Sequence, residues 1–329
     1  MRLFSLITLF LLAPFALAQP KPAQKLEVIV FPGGFNLPIW AAERQGFFEA
    51  NGVRVVLTPT PSSTFQMQGL AEGRFDIAMT AFDNVVAYQE GQGEAKIPPN
   101  PDMFAFMGSD NGFLSVVGGR DIRSFADFKG KKLSVDALTT GYAFVLRELL
   151  ARNGISESDV IFERAGGALT RFQELLKGTH AATVLVTPFD LMAMAKGHAR
   201  LALAQQQLGA YQGVVAASRR PWARDNEAAL VAFVRAYHSA VGFLLDPANR
   251  EIAQALLVAN VRAMTPALAR QSLDVLLNRS GGFFEDVRLD AGGMATVLSL
   301  RSKFSQAKRV LADPGKYLDA SYLWKALAR

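Results

Sequence analysis

Residues 27–56 read EVIVFPGGFNLPIWAAERQGFFEANGVRVV, and the fold class follows from this stretch. Val28, Ile29, Val30 and Phe31 are β-branched or aromatic and run straight into Pro32-Gly33-Gly34, the pattern of a strand that ends in a loop. Pro38 suits the first turn of a helix. Ile39, Trp40, Ala41 and Ala42 give that helix apolar surface, and Gly46 and Gly52 are stopping points around Phe47 and Phe48. Val53, Val55 and Val56 then begin a strand that must pair beside the first. A crossover of this kind builds a parallel sheet, and small ligands sit in the loops at the carboxyl ends of such strands. The loop Gly33–Leu37 is thus the first candidate binding edge.

Upstream, Arg2 is followed by the almost wholly apolar run Leu3–Leu17, and Ala16-Leu17-Ala18 forms a small-x-small cleavage site before Gln19. The run is shorter than the roughly 20 residues of a spanning helix, so it reads as a cleaved signal peptide and the protein as secreted. The 329-residue chain has no cysteine, which removes disulfides, thiolate metal sites, a cysteine nucleophile and a lipidated cysteine at the cleavage site. Its formal charge of +6 is scattered, which argues against a nucleic-acid partner. The densest basic group, Arg301, Lys303, Lys308 and Arg309, has the spacing of a solvated helix face.

Downstream, strand and helix signals alternate. Ser62, Ser63 and Thr64 cap a helix with Phe65, Met67 and Leu70 on its apolar side, Phe75–Met79 reads as a buried strand, and Thr80-Ala81-Phe82-Asp83 opens another helix. Met103–Met107 and Phe113–Val117 follow as strands, then Leu133–Val135, a helix capped at Thr139-Thr140-Gly141 and ended by Gly154, the strand Val160–Phe162, the loop Gly166-Gly167 and the strand Ala182–Val186. An internal echo links Gln68-x-Leu70-x-x-Gly73 and Thr80-Ala81-Phe82-Asp83 with Gln173-x-Leu175-x-x-Gly178 and Thr187-Pro188-Phe189-Asp190, at glycine-to-threonine spacings of seven and nine. Two lobes of similar α/β build are implied. Val214–Ala217 reads as the return to the first lobe. Leu230, Phe233, Tyr237, Val241 and Leu244 share a helix face, Thr265-Pro266 starts a further helix, and Leu298–Leu311 reads as another. The expected organisation is a signal peptide at 1–18, the first part of lobe 1 at 19–110, lobe 2 at 111–210, and a return to lobe 1 with C-terminal helices at 211–329.

Catalytic patterns are sparse. His180, His198 and His238 lie in unrelated contexts, and the sequence has no nucleophile elbow, P-loop or dinucleotide fingerprint. No metal or cofactor is expected. Binding chemistry is better represented: the junctions Gly34–Pro38, Ser62–Thr64, Thr139–Gly141 and Gly166–Ala168 combine hydroxyls or glycine with free helix N-terminal amides. Each alone is a helix cap, but together at strand ends they favour an anion. Asp83 and Asp190 are self-capping residues or, if they face a ligand, favour a cation or an N–H donor. Phe35, Trp40, Phe65, Phe82, Phe113, Tyr142 and Phe189 are candidate aromatic walls, with Trp40 and Phe65 equally suited to the core, as are Met192 and Met194. Arg44, Arg74 and Arg171 read as solvated.

The chain resembles the type II periplasmic solute-binding proteins of ABC transporters, in the family of alkanesulfonate, nitrate, taurine and thiamine-pyrimidine-precursor binders. The resemblance rests on Pro38-Ile39-Trp40-Ala41-Ala42 with Gly46-Phe47-Phe48 and Gly52-Val53, on Leu70-x-x-Gly73-x-Phe75-Asp76-Ile77-Ala78, and on Phe128-x-Gly130-Lys131-Lys132. It covers about the first 220 residues. It implies an α/β fold of two lobes, each a mainly parallel sheet flanked by helices, with extra C-terminal helices. It also implies a monomeric, non-enzymatic receptor that closes on a small polar or anionic solute and delivers it to a membrane permease with its ATPase. The candidate ligand residues are Gly34, Phe35, Asn36, Leu37, Ser62, Ser63, Thr64, Thr80, Ala81, Asp83, Asn84, Thr139, Thr140, Gly141, Tyr142, Gly166, Gly167 and Thr187. The alternatives are an exported enzyme on the same fold using Asp83 and Asp190, and a solute receptor that partners a membrane sensor.

Overall fold

A computed structural model describes residues 23–328; the expected signal peptide, residues 1–18, lies outside the described residues. The opening stretch forms β1 (Gln24–Val30), α1 (Leu37–Arg44), α2 (Phe47–Ala50) and β2 (Val53–Pro59). It continues through α3 (Ser63–Ala71), β3 (Ile77–Ala81), α4 (Phe82–Gln89) and β4 (Met103–Gly108). The chain then crosses to a second unit of β5 (Leu114–Gly118), β6 (Lys132–Val135), α5 (Gly141–Arg152), β7 (Ile161–Arg164), α6 (Ala168–Lys177), β8 (Ala182–Val186), α7 (Phe189–Met194), β9 (Ala199–Leu203) and α8 (Ala204–Leu208). It returns through β10 (Val214–Arg219) and α9 (Arg220–Asp225) to α10 (Glu227–Leu245), α11 (Arg250–Asn260), α12 (Pro266–Leu276), α13 (Ala291–Phe304) and α14 (Ser321–Leu327).

Two five-stranded sheets result, ordered β2-β1-β3-β10-β4 and β7-β6-β8-β5-β9. In each, four strands share a direction, and the reversed one is the strand by which the chain has just crossed, β10 in the first sheet and β5 in the second. The interior strands are covered by helices on both faces: every residue of β5 and of β8 is buried. The echo in the sequence corresponds to equivalent segments, α3–β3–α4 in one unit and α6–β8–α7 in the other.

Helix α10 is apolar and long enough to cross a membrane by composition, yet it is a core helix: Leu230, Phe233, Tyr237, Val241 and Leu244 are all buried. Phe233 stacks on Phe48 and meets Phe106 edge-on, which ties this helix to the first sheet. Helix α13 starts earlier than the apolar pattern from Leu298 suggests. Asp290 caps it by accepting from the Gly293 amide at 2.7 Å, and the two glycines that conceal this first turn let it lie against the Tyr211–Gln212 backbone. Phe65 and Met194, both candidate core residues, are exposed, whereas Met192 is buried.

The segments Ser109–Gly112 and Ala210–Gly213, which link the sheets, run side by side. Asp110 binds them together: its Oδ1 accepts from the amides of Gly112 (2.8 Å) and Val214 (3.1 Å), its Oδ2 from Ser109 Oγ (2.8 Å), and its carbonyl from the Gly213 amide (2.9 Å). Position 213 must be glycine, because a Cβ there would stand 2.1 Å from the Gly112 nitrogen. Burial pushes the Asp110 carboxyl up to about 6, against the hydrogen bonds that favour its ionised form. Between about pH 4 and 6 the folded protein therefore holds a proton that the unfolded chain has released, so this contribution to stability is full below pH 4 and lost as pH rises through 6. Asp110→Asn keeps an acceptor for both amides and can donate to Ser109 Oγ. Urea unfolding from pH 4 to 7 should show the wild type losing up to roughly 3 kcal/mol relative to Asp110→Asn; parallel curves would refute this assignment.

Candidate functional site

Loops from both sheets enclose one cavity of about 50 Å³. From the first unit come Phe31, Phe35, Ser63, Ala81, Asn84 and Val214; from the second come Asp136, Thr140, Gly141, Tyr142, Ala168, Arg171 and Val186. The arrangement follows from the repeated topology. Phe31 and Asp136 directly follow the equivalent strands β1 and β6, Ser63 and Ala168 begin α3 and α6, and Ala81 and Val186 end β3 and β8. Strand ends thus face strand ends.

Of the residues singled out in the sequence, Phe35, Ser63, Ala81, Asn84, Thr140, Gly141 and Tyr142 line this cavity. The others stand behind it for reasons that are local. Gly34 packs against the Thr187 carbonyl and Pro188, and Leu37 is core. The Asn36 side chain donates to the Phe31 carbonyl (2.7 Å) and so fixes the loop. Ser62 caps α3 by accepting from the Phe65 amide (3.2 Å) and bonds Thr64 Oγ1 (2.9 Å). Thr80 Oγ1 accepts from Asn84 (2.9 Å), which orients that side chain. The Gly167 amide, next to Gly166, donates across the cleft to the Pro61 carbonyl (2.8 Å). Thr187 and Asp190 lie on a separate cavity beside Asn111 and Arg200.

Asp83 does not face the cavity. Its oxygens accept from Arg301 Nε (2.7 Å) and Nη2 (2.6 Å), and both side chains are fully buried. Arg301 also donates to Gln92 Oε1 (2.9 Å) and, on the opposite lobe, to the Thr139 carbonyl (2.7 Å). The reading of this basic group as a solvated face is therefore corrected for Arg301 alone: Lys303, Lys308 and Arg309 are exposed, with Lys303 reaching Glu148 (2.6 Å) and Arg309 reaching Glu90 (2.7 Å) from the surface. Asp190 is likewise held inside, accepting from Ser115 Oγ (2.8 Å) and Arg200 Nη2 (3.2 Å). The two aspartates do not line a common cavity: Asp190 borders the one beside Arg200, and Asp83 borders neither that one nor the one between the lobes.

Arg171 is the principal correction. It is not solvated but buried at 2% exposure, and among the described residues its Nε and Nη1 have no hydrogen-bond partner. The cause is helical geometry. Ala168, Arg171, Phe172 and Leu175 form the buried stripe of α6, so a residue that looks solvated by type is turned inward by position. That spacing was readable in the sequence. Burial pulls the guanidinium pKa down and the nearby Asp136 carboxylate opposes it; arginine stays charged in either case. Burial pushes Asp136 up, with Arg171 opposing. Asp136 also crosses the cleft, its Oδ2 accepting from the Ser63 amide (3.1 Å) and its Oδ1 from Ser63 Oγ (3.2 Å). A further cleft-spanning group is Glu94, which accepts from the Thr139 amide (3.1 Å) and from Arg164 Nε (2.7 Å).

A family model described as NMT1/THI5 like matches residues 36–250. The chain belongs to that family. No curated protein matches it in sequence. Among solved structures, the periplasmic nitrate-binding protein NrtA from Synechocystis PCC 6803 is similar at TM-score 0.75 and 13% identity, over 93% of this chain and 89% of that one. The alkanesulfonate-binding protein SsuA from Xanthomonas axonopodis pv. citri, solved with MOPS, gives TM-score 0.70 and 17% identity, over 92% of this chain and 98% of that one. The desulfurization enzyme DSZB gives TM-score 0.62 and 13% identity over 92% and 99%. At these identities the likeness is one of fold, and this NMT1/THI5-like chain has the fold of periplasmic solute-binding proteins.

Removing one partner of the Asp83–Arg301 pair leaves an uncompensated buried charge. Asp83→Asn should cost about 3–5 kcal/mol in chemical unfolding, while Asp83→Leu combined with Arg301→Met should recover most of it. A single substitution costing under about 1 kcal/mol would show that the pair does not hold α13 in place.

Proposed function

We propose that this protein is the exported solute receptor of an ABC importer, which closes its two lobes on a small polar or anionic solute and presents the closed form to a membrane permease with its ATPase. The observation that carries this reading is Arg171, a buried cation with two unpartnered nitrogens on a cavity made by both lobes. Leaving such donors unmet is costly, and a solute anion would meet them. The fold shared with nitrate- and alkanesulfonate-binding proteins is consistent with it.

Phe35, Ser63, Asn84, Thr140 and Tyr142, with Phe31, Asp136 and Arg171, form the ligand shell in this proposal. The other residues picked from the sequence support that shell. The crossings at Ser109–Gly112 and Ala210–Gly213 serve as the hinge, the units on either side of them as lobes, and residues 1–18 as the export signal. An enzyme built on Asp83 and Asp190 has less support, because each aspartate is held by its own arginine. A receptor for a membrane sensor would use the same cleft with a different partner.

Calorimetry against sulfonates, nitrate, carboxylates and pyrimidines, with X-ray scattering on the same samples, tests the proposal. At least one solute should bind and reduce the radius of gyration. Stabilisation by none, together with turnover of any substrate, would overturn it. Closure draws on Glu94, so Glu94→Ala should weaken the affinity of any solute that binds by about three- to tenfold, the worth of roughly one hydrogen bond of ordinary net strength.

A further inference from the structure

The cavity holds two opposite charges, and they are not in contact with each other. Arg171 lines one part with Nε and Nη1 unpartnered, while Asp136 lines another and is anchored by Ser63. Among the described residues no ion pair forms between them. The bonds from Ser63 to Asp136 are 3.1–3.2 Å, longer than the roughly 2.7–2.9 Å of a tight charge-assisted contact, and a carboxylate has about four acceptor positions. Asp136 therefore keeps acceptor capacity on the cavity side. The rest of the wall includes the aromatic rings of Phe31, Phe35 and Tyr142, together with Ala81, Ala168, Val186 and Val214 and the polar Asn84 and Thr140.

We propose that the solute is a small zwitterion, its anionic group on Arg171 and its ammonium or other cationic N–H group on Asp136, with a short apolar body against Phe31, Phe35 and Tyr142. The geometry disfavours each half-ligand. A plain anion brings a second negative charge beside Asp136, and a plain amine brings a second positive charge beside Arg171. Only a molecule carrying both charges satisfies the two groups together, so the site selects by attraction and repulsion at once. This assignment rests on the receptor reading and narrows it to one ligand class.

The test uses the mature full-length protein and matched probes. Aminoalkanesulfonates and ω-aminocarboxylates of one to four carbons, the α-amino acids and small betaines are each compared with the corresponding sulfonate or carboxylate lacking nitrogen and with the amine lacking the anion; uracil serves as a neutral donor–acceptor probe. At least one zwitterion should bind tenfold or more tightly than both of its half-ligands. Asp136→Asn should reduce that preference over the plain anion to threefold or less, and Arg171→Met should abolish anion-dependent binding; Arg171→Lys, which retains charge but not the planar fork, should bind at least tenfold more weakly than wild type. Circular dichroism and thermal unfolding establish that each variant folds, and if Arg171→Met does not, the matched series on wild type and Asp136→Asn decides. A plain anion, a plain amine or uracil binding as well as or better than every zwitterion overturns the ligand assignment and leaves the receptor reading standing. Absence of binding by every probe overturns the ligand assignment, and absence of binding in the broader solute screen together with turnover of a substrate overturns the receptor reading as well.

Discussion

Burying a guanidinium is costly unless its donors are met, and Arg301 meets them by joining three parts of the molecule. It sits on α13, grips Asp83 of the first unit with two nitrogens, bonds Gln92, and reaches the Thr139 carbonyl of the second unit. The C-terminal segment is therefore more than an appendage. Without it, Asp83 would be a bare carboxylate beside Gly141, whose missing side chain lets the two units approach; a Cβ at that position would lie 2.5 Å from the Asp83 Cβ.

Arg171 shows the opposite condition at a similar depth. Both arginines are almost completely buried, but one is surrounded by acceptors and the other has two nitrogens without any. This contrast separates a structural charge from a candidate recognition charge better than burial or residue type does. The low-dielectric surroundings that make an unmet donor costly also strengthen its attraction for an arriving anion.

The repeated topology gives the two units matching parts with different chemistry. Asp83 and Asp190 occupy equivalent positions after β3 and β8, and each is buried against an arginine, Arg301 and Arg200 respectively. Each sits in the first turn of its helix and ties that turn to another element, Asp83 to α13 and Asp190 to β5 and β9. Across the cleft, the residues following β1 and β6 differ: one is Phe31 and the other Asp136. Symmetry of backbone with asymmetry of side chain sets an aromatic ring at one strand end of the cavity and a carboxylate at the equivalent one.

The sequence by itself determined the elements and the architecture, because apolar periodicity, caps and glycine stops act over a few residues and are written in order along the chain. The strand Ala182–Val186, the buried face of α10 from Leu230 to Leu244, the Thr265 cap and the two crossings could all be read locally. The loops that converge could also be found, since they follow strand ends. What could not be read from adjacency was the partner of each charge: Asp83 and Arg301 lie 218 positions apart. Arg301, Asp136 and Arg171 acquire their roles from what the folded chain places beside them. Only the tertiary structure decided which of these charges was neutralised and which was left facing the cavity, because an ion pair is defined by distance in space and a helix face by what packs against it.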